Sequence, residues 1–126
     1  MTETDNTVIS VADSKQLLRG VDGSLSWNFT LTGEQFASAR LKWKGTTVAN
    51  ILPAFGIVGV SAGFEDRFNL TWINSQRTTL VIFNVTSEYD GEFSCETSSI
   101  VGGNFKEWKR KIQVEVVGKE TNTENF

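Results

Sequence analysis

The stretch YDGEFSCE, Tyr89 to Glu96, contains the only cysteine of a 126-residue chain. Phe93 and Cys95 alternate with Glu92, Ser94 and Glu96, the period of a strand with one buried and one wet face. An apolar alternation that follows a glycine and ends at a cysteine reads as a strand pinned by a disulfide. A single cysteine cannot form an intrachain bridge, so something else must fill the partner's place.

The same period recurs outward from this stretch. In SLSWNFTL, residues 24–31, Leu25, Trp27, Phe29 and Leu31 point one way, and Ser26, Asn28 and Thr30 the other. ARLKWKG, residues 39–45, places Leu41 and Trp43 inward and Arg40, Lys42 and Lys44 outward. Further strands are expected at RFNLTWI, TTLVIFNV, GEFSCET and KRKIQVEVV; in the last, Ile112, Val114 and Val116 share a face. Turn residues mark the breaks at VDG, LTGE, INSQ, SEYDG and VGGN. No segment shows a helical stripe. About seven to nine short strands at this spacing predict an all-β antiparallel sandwich or barrel.

Residues 48–64, VANILPAFGIVGVSAGF, differ in being apolar, uncharged and broken by Pro53 and three glycines. They predict two short, irregular edge strands, with Ile51, Ile57 and Phe64 supplying core. The glycines between Gly56 and Gly63 lack the following helix that a nucleotide site requires.

Composition narrows the function. Twelve basic and 15 acidic residues give a net charge of −3, and there is no histidine. That balance lacks the basic surface on which nucleic-acid binding rests, so no nucleic-acid partner is expected. Without histidine there is no Ser-His-Asp or Cys-His catalysis, and the commonest transition-metal ligand is missing. Paired carboxylates are not assembled by any motif, so neither enzyme activity, metal nor cofactor is expected. MTETDNTV has no basic start and no apolar run, unlike a signal peptide, and no window reaches the length of a transmembrane helix. The opening Met and the polar GKETNTENF tail fit a domain cut from a longer chain. The expected organisation is a flexible segment over 1–7, one domain over 8–117 and a polar linker over 118–126.

The order of the pieces resembles an immunoglobulin V-set domain across residues 8–117. DGSLSWNF matches strand B, LKWKG strand C, DRFNL strand D, TTLVIFNV strand E, YDGEFSCE strand F and KIQVEV strand G. In that family the strand B cysteine lies about six residues past a glycine, which carries the position to Phe29. The resemblance also puts the strand C tryptophan at Trp43 and the strand F cysteine at Cys95. The interval from Phe29 to Cys95 leaves room for strands C′ and C″, where residues 48–64 fall.

The resemblance implies that Phe29 replaces the missing cysteine. A disulfide closing such a loop would contribute about 4 kcal/mol. A buried phenylalanine contributes roughly 1.5–3 kcal/mol, to which ring contact with Trp43 would add. Cys95 is then a small buried hydrophobe. The expected core includes Trp27, Phe29, Trp43, Leu80, Phe93 and Cys95, while Trp72 and Trp108 fit core or surface equally. Three departures separate the chain from antigen receptors. Tyr89 stands where the family has the aspartate that pairs with an arginine, here Arg67, with Glu88 and Asp90 on either side. Phe93 lacks the tyrosine-corner hydroxyl, and strand G has no Gly-x-Gly bulge. The closer resemblance is to V-set-like domains of adhesion and self-recognition receptors, including those of invertebrate allorecognition.

The resemblance implies an extracellular, cell-surface recognition domain, attached to a membrane only through a parent chain. It would bind another protein, including its own copy, through the sheet of strands G, F, C and C′. Candidate partner contacts are Lys42, Lys44, Leu52, Phe55, Glu92, Glu96, Lys109 and Lys111. Ile100 and Val101 join them at the tip of a mobile loop, Ser98–Phe105. Basic, acidic and basic rows on C, F and G fit either ordinary cross-strand pairing or a self-complementary face. Sequons at Asn28, Asn69 and Asn84 lie on polar strand faces and are expected glycosylation sites. An intracellular structural module of the muscle-filament kind, which would carry no glycans, is an alternative. So is a carbohydrate-binding sandwich, which glycan-array binding would reveal.

Overall fold

A computed structural model describes residues 8–10, 14–29, 35–73 and 77–118 of the chain. Ten strands form two sheets: β1 (Val8–Ser10), β2 (Ser14–Leu18), β3 (Gly23–Phe29), β4 (Gln35–Trp43), β5 (Thr46–Leu52), β6 (Ile57–Val60), β7 (Phe68–Ile73), β8 (Arg77–Ile82), β9 (Gly91–Val101) and β10 (Asn104–Val117). The four-stranded sheet runs β1-β3-β8-β7 and the six-stranded sheet β2-β10-β9-β4-β5-β6. The fold is an all-β, immunoglobulin V-type sandwich. Its strands are antiparallel except for β2, which pairs parallel with β10 from Ser14 to Leu18.

The inward residues of both sheets make one core. Leu25, Trp27, Leu80, Leu41, Phe93 and Cys95 are fully buried, and Phe29 is nearly so. Val48, Ala49 and Ile51 on β5 close its side. Trp43, Phe64, Trp72 and Trp108 pack against this core while partly exposed.

The level of Phe29 corrects the expected contact with Trp43. Phe29 packs against Phe36 at 5.5 Å and Trp72 at 5.6 Å. Phe36 pairs in register with Ser99 on β9, well beyond Cys95 along the strand. Trp43 instead contacts Phe93, Tyr89 and Phe68 at the opposite end. On the inward row of β3, the next residue from Phe29 toward that end is Trp27, the largest fully buried side chain. Leu25, Trp27 and Phe29 together form the buried row that β3 contributes to the core containing Cys95.

Three more expectations change. Ile57 is half exposed, because it pairs with Leu52 on the outward side of an edge strand. Strand C is longer than LKWKG and begins at Gln35. The 98–105 segment is no loose loop: β9 runs to Val101 and β10 starts at Asn104, with only Gly102 and Gly103 between them. Both glycines have positive φ, 56° and 83°, which suits a tight two-residue hairpin turn and lets the ladder run to its end.

Candidate functional site

The outer face of the six-stranded sheet carries two adjoining features. The first is a charged band. Register sets Arg40 opposite Glu96, and Glu96 opposite Lys109. The Glu96 carboxylate lies 3.3 Å from Lys42 Nζ, 3.8 Å from Lys109 Nζ and 4.0 Å from Arg40. Lys111 approaches Glu92 at 3.9 Å. Four cations around two carboxylates leave a positive surplus in an otherwise acidic chain. Each pair on so wet a surface contributes about 1 kcal/mol or less. The rows form as expected, and Lys42, Glu92, Glu96, Lys109 and Lys111 all lie in the band.

The second feature is an apolar groove of about 590 Å³, lined by Phe36, Ala37, Ser38, Leu52, Pro53, Ala54, Phe55, Ile100 and Phe105. It lies where the β9–β10 hairpin passes the end of β5 and the start of β4. Pro53 opens the short turn Pro53–Phe55, and Gly56 closes it in the left-handed conformation. This turn leaves Phe55 76% exposed, and Phe105 across the groove is 69% exposed. Leu52, Phe55 and Ile100 thus come together, along with two residues that sequence reading missed, Phe36 and Phe105. Phe105 shares the outward period of Lys109 and Lys111, but the apolar alternation that marks strand G in the sequence begins only beyond Lys109. Val101 has its backbone in β9, paired with Asn104; its side chain lies outside the described part of the structure.

Lys44 belongs elsewhere. With Gly45 it forms the β4–β5 turn, and its ammonium donates to the Glu88 carbonyl at 2.9 Å and lies over the Trp43 ring. Beside it Arg67 donates to both Glu88 carboxylate oxygens at 3.0 Å and stacks over Trp43 and Tyr89. Glu88 therefore takes the part that the family gives to aspartate at the Tyr89 position. Asp90 accepts a hydrogen bond from the Val116 backbone N–H at 3.1 Å. Tyr89 is buried, which raises its phenol pKa, with Arg67 acting in the opposite direction.

Cys95 is fully buried and its sulfur lies 3.5 Å from the Thr97 hydroxyl. Burial pushes its thiol up to about 12, against a lowering contribution from Thr97. The thiolate, the reactive form, is correspondingly disfavoured.

Asn28, Asn69 and Asn84 are all exposed. Asn28 and Asn69 face outward from β3 and β7, and Asn84 follows β8, so all three belong to the four-stranded sheet.

No protein-family model matches this sequence, and no curated protein matches it. Solved structures match its fold. The structure of murine CRIg superposes with a TM-score of 0.75 at 13% identity, covering 90% of this chain and 99% of that one. The Ig1 domain of mouse SynCAM 2 gives 0.66 at 11% identity, covering 92% and 100%. A chain from a structural study of T cell specificity and activation by the bacterial superantigen toxic shock syndrome toxin-1 gives 0.63 at 13%, covering 88% and 100%. Among the described residues no helix is long and apolar enough to cross a membrane. The chain thus has an immunoglobulin V-type sandwich fold like that of CRIg and the first domain of SynCAM 2.

Proposed function

We propose that this chain is the recognition domain of a cell-surface receptor and that it docks its own copy through the outer face of the six-stranded sheet. The observation that carries this reading is the pair Phe55 and Phe105, 76% and 69% exposed on the two walls of one groove. Exposed aromatic rings beside an apolar depression are what a buried interface centre needs. Knob and hole on one patch suit a two-fold, isologous contact, in which each copy's Phe55 enters the other's groove. The adjoining charged band supplies a polar rim that sets register and approach rather than affinity. Likeness in fold to CRIg and to a SynCAM 2 domain agrees with a receptor role.

Sedimentation across a wide concentration range tests this. The unaltered domain is expected to dimerise, and Phe55→Asp or Phe105→Asp to weaken the dimer at least about tenfold without altering the fold. A monomer at every concentration, or a dimer indifferent to both changes, would contradict it.

A further inference from the structure

The two outer faces differ in charge. Along β3, β8 and β7 the outward residues are hydroxyls, amides and aliphatics, and Arg77 is the one formal charge on these strands. Ser26 and Thr79 hydrogen-bond across the face at 2.9 Å, and Ile73 is half exposed. The opposite face carries Arg40, Lys42, Glu92, Glu96, Lys109 and Lys111. A broad sheet face of neutral hydroxyls and amides is wet without being charged, the kind of surface on which a glycan can lie.

The sequons lie on this weakly charged side. Asn69 projects from edge strand β7 and is exposed, as is Thr71, the hydroxyl residue of its sequon. Asn84 sits just beyond β8 in the left-handed conformation, φ 51°, with its N–H donating to Asp22. The turn presents its amide to solvent, and Thr86 is exposed. Val81, the register partner of Asn69, lies near the end of β8, which stops just short of Asn84. Asn28 shares the face, but its sequon ends at Thr30, outside the described residues. On the six-stranded sheet Asn50 occupies an outward position beside Arg40, and the residue two beyond it is Leu52, which makes no sequon.

We propose that Asn69 and Asn84 carry N-linked glycans that coat the outer face of the four-stranded sheet and leave the face with the groove bare. Oligosaccharide hydroxyls can hydrogen-bond the neutral hydroxyl and amide side chains of this face, where no row of charges competes for the surface. This rests on the cell-surface reading above, because the modification requires passage through the secretory route.

The test is to secrete the domain from a eukaryotic host behind a supplied signal peptide and map its glycopeptides by mass spectrometry. Asn69→Gln and Asn84→Gly serve as controls, the glycine retaining the left-handed turn. Glycan is expected at both asparagines, with one lost in each variant. Glycosylated and enzymatically stripped protein should self-associate with Kd values agreeing within about twofold. A bare Asn69 or Asn84 in folded, secreted protein overturns the proposal, as does glycan that weakens self-association tenfold or more. A protein glycosylated at both sites but monomeric in both forms upholds the glycan sites and rejects the homophilic reading, so the two failures are distinct.

Discussion

The two ends of the sandwich are built from similar rings and finished in opposite ways. At one end Trp43, Phe68, Tyr89 and Phe93 form a ring cluster capped by Arg67, which the Glu88 carboxylate holds with two hydrogen bonds. At the other end Phe29, Phe36 and Trp72 pack together, and Phe36 continues outward as a wall of the groove. The first end is closed by charge, and its rings have no further partner to seek. The second ends in apolar surface exposed at Phe55 and Phe105. One end is closed over its rings, while the other leaves apolar surface uncovered. A chain without a disulfide keeps its sheets together by packing at both ends, and only one end is sealed.

The largest effect should follow from opening the sealed end. Trp43→Ala removes the ring common to three aromatic contacts and two of the three cation stacks, and should cost about 3 kcal/mol or more, read from denaturant midpoints. A loss below about 1 kcal/mol would make the two ends equivalent. Next is Phe55→Ala at the open end. Docking should weaken by about 2 kcal/mol, while stability stays within roughly 0.5 kcal/mol because the ring is mostly in water. Equal losses of docking and stability would erase the distinction between the ends.

Arg67→Ala should cost about 1 kcal/mol. Its bidentate pair with Glu88 is more than a third exposed on both sides, so solvent screens most of the ionic part and stacking over Trp43 supplies the rest. Added salt should shrink this loss only slightly. The smallest effect near neutrality belongs to Cys95. Its folded pKa, about 12, stands above the ordinary value of 9.0. The unfolded chain therefore ionises first, and the resulting stability is fully present below about pH 9 and declines as pH rises toward about 12. Cys95→Val should flatten that alkaline decline when melting curves of the two proteins are compared. Identical pH profiles would mean that the thiol is not buried in solution.

Much of this contrast is legible in the sequence. Period-two alternation marks the strands, and the rows of Arg40, Lys42, Glu92, Glu96, Lys109 and Lys111 face one another as their outward positions require. What is not legible is level and depth. Counting from Gly23 places Phe29 in a family pattern, but its height in the sandwich depends on how the two sheets stack. A register shift between Phe36 and Ser38 further alters the heights along β4. Glu88 reaches Arg67 because the turn at Ser87–Tyr89 buries Tyr89 and leaves its neighbour outside. Gly102 and Gly103 suit a mobile loop and a tight hairpin equally well, since positive φ serves either. The groove is half visible: Leu52, Phe55 and Ile100 are expected contacts, but only folding brings Phe36 and Phe105 beside them.

The most direct measurement is an NMR titration of isotope-labelled domain with its unlabelled copy. Docking at the open end predicts saturable shifts in the amides of Leu52, Phe55, Ile57, Ile100 and Phe105, with those around Asn69 and Thr79 unmoved. Shifts centred on β3, β7 and β8, or none up to the highest concentration, would contradict it.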